Sequence, residues 1–241
     1  MRKPLIIITG ASSGIGEATA RHFSAAGHPL LLLARRLERM QALNLPDTLC
    51  RAVDITDRQA LLAAVAEAEA QFGPADALVN NAGVMLLGLM HEQDPAQWEQ
   101  MLDVNVKGLL NGVHAVASGM IARSHGTIIN VSSVAGRKTF PNHVAYVGSK
   151  FAVHGISENL REELSPHNVR VVTIAPGAVE TELLGHTTDE AIKSGYQAWK
   201  ADMGGVVLSA DDVASAIAYA YQQPQHVCIR EIVLAATRQQ P

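Results

Sequence analysis

The feature that most constrains this chain is an alternation. Short apolar runs recur along it, and segments of helical character separate them. The stretches "LIIIT" (5–9), "LLLLA" (30–34), "LCRAVD" (49–54), "DALVNNAG" (76–83), "GTIINVSS" (126–133) and "VRVVTIAPG" (169–177) read as strands. Between them, "GEATARHFSAAG", the stretch from Asp57 to Gly73, a long region from Ala96 to Arg123 and another from Val144 to Leu164 read as helices. Strands without a polar face must be covered on both sides, and parallel strands need a crossover that a helix supplies. The expected fold class is α/β, a doubly wound parallel sheet of about seven strands with helices on both faces. No linker, repeat or composition break divides the chain, so a single domain over 1–241 is expected. Residues 178–209, polar and punctuated by glycine, read as a lid or substrate loop.

Composition narrows the function classes. A hydrophobic fraction of 48% and a charged fraction of 17% suit a large buried core. Net charge is -4 with no run of Lys or Arg, so no nucleic-acid partner is expected. The start "MRKPLIIITG" has the basic opening of a secretory leader, but its apolar run covers only Leu5 to Ile8 and no small-residue cleavage site follows, so it is not read as one. No stretch nears the roughly 18 apolar residues of a membrane span. Cys50 and Cys228 have neither metal-like nor redox-like spacing, and a cytoplasmic location is the simplest reading. His91, His114, His154 and His186 are scattered surface histidines on this reading, and no metal site is expected.

The first strand runs into "TGASSGIG" (9–16), which opens a helix. Gly10 permits a tight turn, Gly14 lets a ligand approach the backbone and Gly16 lets the helix pack on the sheet. The helix N-terminus beyond offers free N–H groups and a positive dipole end to a pyrophosphate. A ribose with a free 2′-hydroxyl is usually held by an acid at the end of the second strand. Here Ala34 stands at that point and Arg35 and Arg36 follow, a pair suited to a 2′-phosphate with no carboxylate to repel it.

Six elements in order, "TGASSGIG", "NNAG" (80–83), Asn105 in "DVNVKG", Ser133 in "NVSS", "YVGSK" (146–150) and "PG" (176–177), run over essentially the whole chain. Together they resemble the short-chain dehydrogenases/reductases of the one-domain type. The resemblance implies a Rossmann-like domain, a homo-oligomer (tetramer or dimer), and hydride transfer between NAD(P) and an alcohol or carbonyl. It places a catalytic set on Asn105, Ser133, Tyr146 and Lys150. Lys150 would also bind the nicotinamide ribose, and Asn105 would hold a water linking the lysine to solvent. NADP(H) is the expected cofactor, NAD(H) being disfavoured by the arginine pair. Around it the resemblance sets Gly10, Ser12, Ser13, Gly14, Ile15, Gly16, Arg35, Arg36, Ile55, Asn81, Ala82, Gly83, Tyr146, Lys150, Pro176, Gly177, Val179 and Thr181. Asp54 either meets the adenine ring or is a turn residue. "TELLGHTTDEAIKSGYQAW" and "IREIVLAATRQ" are similar to a branch with clavaldehyde-type reductases and NADP-dependent 3-hydroxy-acid dehydrogenases.

The chemistry can also be argued from the residues. Tyr146 and Lys150 stand one helical turn apart, on one face. A phenol titrates near pH 10, so a neighbouring ammonium that favours the phenolate brings an acid/base closer to working pH. Ser133 can hold the substrate oxygen beside the phenol, and Val147, Gly148 and Ser149 read as small spacers. Met85, Leu86, Leu87, Phe140, Leu183, Tyr196 and Trp199 would line a mainly apolar pocket for a small or medium ketone, aldehyde or hydroxy/oxo acid. Arg137 is either a clamp for a substrate carboxylate or a solvated surface charge. The reading from another class is a non-catalytic NADP(H)-sensing module. Methionines and leucines at helical spacing in 101–120 suggest core or subunit contact.

Overall fold

The computed structural model describes residues 3–239; Met1 and Arg2 of the basic start and the last two residues of the predicted domain lie outside the described residues. Among the described residues, seven strands form one parallel sheet in the order β3-β2-β1-β4-β5-β6-β7. They are β1 (Leu5–Thr9), β2 (Leu30–Ala34), β3 (Thr48–Ala52), β4 (Ala75–Asn80), β5 (Gly126–Val131), β6 (Val169–Pro176) and β7 (Glu231–Leu234). The fold is the expected Rossmann-like α/β architecture. Chain order reverses direction across the sheet between β1 and β4, and a crevice opens there beyond the strands' carboxyl ends.

Strand β1 shows why both faces are apolar. Leu5 and Ile7 face a cluster built with Leu61 and Val65 of α3 (Arg58–Phe72), Val113 of α5 (Leu109–Arg123) and Val153 of α6 (Val144–Leu164). Ile6 and Ile8 face the opposite cluster, with Phe23 of α1 (Gly14–Ala25), Met40 of α2 (Leu37–Gln41) and Ile217 of α8 (Ala210–Gln222). Each such fully buried side chain contributes roughly 1.5–3 kcal/mol of burial. Local signals agree with this layering. Asp57 caps α3 by accepting from the Gln59 and Ala60 amides at 3.0 and 3.1 Å, and Gly73, at φ 93°, ends it.

Three segments differ from the sequence reading. The long helix over 96–123 is α4 (Pro95–Leu102) and α5 joined by a π-helical segment, Asp103–Gly108. The extra residue per turn is a local anomaly that hydropathy cannot register. Within 178–209 lies a helix, α7 (Glu190–Asp202), capped by Asp189, which accepts from the Ala191 and Ile192 amides. Its polarity reflects a helix with no buried residue rather than absence of structure. Strand β7 lay unlocated in the C-terminal stretch because its four residues are only partly buried and carry little periodicity.

Ile129, fully buried in β5, tests the layered core. Ile129→Ala is expected to destabilise the fold by about 2–5 kcal/mol, read as a lower urea midpoint with an unchanged slope.

Candidate active site

One cavity of about 1000 Å³ follows the crevice from the end of β2, past the β1 and β4 loops, to α6 and α7. The β1–β4 junction is pinned by Thr9. Its hydroxyl accepts from the amides of Asn81 and Ala82, both at 3.0 Å, while Asn81 Nδ2 donates to the carbonyls of Thr9 and Gly10 at 3.1 and 3.3 Å. Gly10, at φ +67°, passes so close to this loop that a Cβ would stand 2.8 Å from Ala82 Cα. A Cβ on Gly16 would meet the Gly10 carbonyl at 2.3 Å, which makes Gly16 a packing residue rather than a wall of the cavity.

Ser13 precedes α1 in an extended conformation, and its side chain makes no capping bond. The amides of the helix's first turn therefore stay unengaged by a cap and open to an anion. The Ser13 hydroxyl is used elsewhere. Arg36 donates through Nη2 to the hydroxyls of Ser13 (2.9 Å) and Ser12 (3.1 Å), so the arginine is fixed on the glycine loop. Ser12, Gly14, Ile15, Arg35 and Ile55 also line this end, as do Ala82, Gly83, Pro176, Gly177, Val179 and Thr181 farther along. Asp54 is a turn residue at the cavity wall. It lines the cavity, and its Oδ1 accepts from the Thr56 amide and hydroxyl at 2.9 and 2.8 Å, bonds that hold its carboxyl below the usual range.

The expectation that no carboxylate stands near the arginines is corrected. Glu182, 146 residues from Arg36 along the chain, pairs with both Arg36 and Arg39. Only the return of the segment after β6 over the crevice brings it there. Arg39 also escaped the sequence reading, although it lies one turn beyond Arg36 on α2.

At the other end, Ser133, Tyr146 and Lys150 converge on the cavity. Ser133 Oγ accepts from the Ala135 amide at 3.0 Å. Lys150 Nζ donates to the Val131 carbonyl at 3.0 Å and sits 5.7 Å from the centre of the Tyr146 ring. Asn105 lies behind them in the π segment, buried and outside the cavity lining. Its Oδ1 accepts from the Val84 amide (2.8 Å), and its Nδ2 donates to the Val84 carbonyl and to Ser149 Oγ, each at 3.0 Å. Ser149 is no mere spacer, since its fully buried hydroxyl donates to the Tyr146 carbonyl at 2.7 Å and ties α6 to Asn105. Gly148 faces outward with nothing within 4 Å of a Cβ, so it does not guard the approach.

Burial dominates the protonation of the pair. It pushes the Tyr146 phenol well above its ordinary value against the opposing Ser133 hydrogen bond, and it lowers the Lys150 ammonium to about 8. Desolvation is the leading cause for both groups.

Met85, Leu87, Phe140, Leu183, Tyr196 and Trp199 line the outer end as predicted, joined by His143, whose ring burial keeps neutral; Leu86 is buried behind the wall. Tyr196 and Trp199, on α7, stack edge-on at 5.2 Å, and Phe140 meets Trp199 at 6.3 Å, so the flap is aromatic on its inner side. Of the two readings left open for Arg137, the clamp is not favoured: it lies outside the cavity lining and pairs with Glu231 at 2.6 Å, as His154 does at 3.0 Å. Nor are all four histidines surface groups, since His154 is half-buried against Ser132 and His186 lines the cavity.

Between pH 8 and pH 10 the unfolded chain keeps the Lys150 proton that the folded chain releases. The unfolded state then binds more protons, and stability rises with pH across that window; below it both states are charged and the burial penalty is full. The raised Tyr146 acts in the opposite sense only above about pH 10. Relative to Lys150→Met, the protein is expected to gain about 2 kcal/mol between these limits in urea titrations.

Known proteins share this arrangement. A profile of the family described as short chain dehydrogenase matches residues 4–191. An uncharacterized oxidoreductase of Listeria monocytogenes is 38% identical, over 99% of this chain and 98% of its own. The glycine betaine reductase of Emericella nidulans is 39% identical over 95% of this chain, which spans 18% of that longer protein. The closed form of serine dehydrogenase complexed with NADP+ superposes with a TM-score of 0.91 at 33% identity, covering 98% and 96% of the two chains. Other solved relatives likewise hold NADP or NADPH. The uncapped α1 terminus, the arginines on the glycine loop and the length of the cavity fit that cofactor. This chain belongs to the short-chain dehydrogenase/reductase family and is an NADP(H)-dependent oxidoreductase.

Proposed function

We propose that the protein interconverts a small carbonyl compound and its alcohol, with Tyr146 passing the proton to or from the substrate oxygen. The observation that carries this reading is the convergence of Ser133, Tyr146 and Lys150 on the same end of the cavity, with Asn105 and Ser149 fixing α6 from behind. NADPH would lie with its pyrophosphate over the first turn of α1 and its 2′-phosphate toward Arg35 and Arg36, and it supplies the hydride when bound.

The side chains divide the remaining work. Ser133 Oγ accepts from the Ala135 amide and hydrogen-bonds the Tyr146 phenol, so a substrate oxygen that took over the Ser133 proton would be held beside the phenol. Burial keeps Tyr146 protonated, which suits an acid that gives its proton to an oxygen turning alkoxide. Lys150 supports the phenolate that remains, because a cation one turn away favours the charged form once it exists. In the reverse direction the same contacts let Tyr146 take the proton.

The outer wall supports a small aldehyde or ketone. It is apolar and aromatic, and the Lys200 ammonium is engaged by Glu180 as Arg137 is by Glu231. The glycine betaine reductase and serine dehydrogenase among its relatives also bear names of compact substrates. We place the protein in the cytoplasm as a single domain over 1–241 that assembles with copies of itself. The oligomer is supported by an outward stripe on α6, where Val144 and Phe151 are 58% and 45% exposed and flank Gly148, with Leu102 exposed on α4, which packs against α6.

Tyr146→Phe is expected to lower turnover by at least about 10²-fold with NADPH affinity nearly unchanged, measured by loss of NADPH absorbance on small aldehydes, ketones and oxo acids. Full activity in that variant would refute the proton-transfer role. Tight NADPH binding with no turnover on any substrate by the unaltered protein would favour a sensing module. Phe151→Glu is expected to reduce the mass seen by light scattering; an unchanged mass would remove α6 from the interface.

A further inference from the structure

The end of the cavity near β2 contains an anion supplied by the protein itself. Glu182 opens the short turn after Thr181, on the flap that returns over the crevice. Its Oε2 accepts from Arg36 Nη1 at 2.9 Å and its Oε1 from Arg39 Nη1 at 2.7 Å. Nε and Nη2 of Arg36 are held by Ser12 and Ser13, so this guanidinium is oriented by the glycine loop and not by Glu182 alone. One carboxylate thus spans two guanidiniums, from an element remote in sequence, across the mouth of the crevice. The two bonds also hold Glu182 ionised, lowering its carboxyl to about 2.

Guanidinium edges that fit two carboxylate oxygens also fit two oxygens of a phosphate. A ribose 2′-phosphate brought to Arg36 would meet the Glu182 carboxylate at the same donors, and like charges a few ångströms apart repel even at the protein surface. We propose that Glu182 is an internal competitor for the cofactor's 2′-phosphate, and that it sets how strongly the protein prefers NADP(H) over NAD(H). The proposal rests on the reading that Arg36 receives that phosphate. With the unphosphorylated cofactor the Glu182 bridge stays closed and ties the flap to the end of β2. With the phosphorylated one the bridge opens, and Arg36 and Arg39 turn to the phosphate.

The test uses fragments without a nicotinamide, so it does not depend on turnover. Binding of 2′,5′-ADP and 5′-AMP is measured by calorimetry on the full chain, on Glu182→Gln and on Arg36→Ala. Glu182→Gln is expected to bind 2′,5′-ADP about fivefold tighter or more, and 5′-AMP within about twofold of the unaltered protein. No gain for 2′,5′-ADP overturns the competition. An equal gain for both ligands also overturns it, because that outcome reports only a freed flap. If Arg36→Ala leaves the ratio of the two affinities unchanged, the arginine reading falls and the competition falls with it. If the ratio depends on Arg36 but not on Glu182, the competition alone is refuted.

Discussion

The Thr9 hydroxyl, at the carboxyl end of the first strand, accepts from two successive amides of the loop after β4. A parallel sheet that winds outward in both directions from its centre must part its loops at that point, and the gap is where a long ligand can lie. Left unbridged, the gap would leave backbone donors without partners and two loops free to drift. Thr9 and Asn81 close the base of the gap, while Gly10 lets the loops touch. The positions of the glycine turn, the α1 terminus and the cavity wall after β4 all follow from that junction.

The opposite end of the cavity is organised by a defect in a helix. The π segment carries Asn105 inward to bond Val84 on one side and Ser149 on the other. Ser149 passes the constraint to the Tyr146 carbonyl, so the helix bearing the phenol and the ammonium is held from behind by neutral hydrogen bonds. This leaves Tyr146 and Lys150 in a desolvated place where burial drives both toward their neutral forms. A pair poised in this way is sensitive to any charge that arrives beside it, which is the property an acid/base needs.

Much of this was legible in the residues. The doubly wound sheet, the glycine turn and the convergence of Ser133, Tyr146 and Lys150 were all expected, because each rests on a local pattern or on a motif of fixed spacing. What escaped had one cause in common. Arg39 and Glu182 meet across 143 residues, and Arg137 finds Glu231 across 94. No local pattern reports a pairing of that separation, so Arg137 remained open as a clamp and the arginine pair looked free of carboxylates. Ser149 looked like a spacer because its value lies in a bond to Asn105, on another helix.

The sequence by itself determined the layering, since strands apolar on both faces have no other stable arrangement than burial between helices. It also determined which groups could do chemistry, because a phenol, an ammonium and a hydroxyl bring their reactivity with them. The tertiary structure alone decided their state and their company. Protonation depends on how much water a group loses, and ion pairing depends on which distant elements fold back beside it. Those quantities belong to the packed chain, and they bound Arg36, one member of a pair that looked open, to Glu182 together with Arg39.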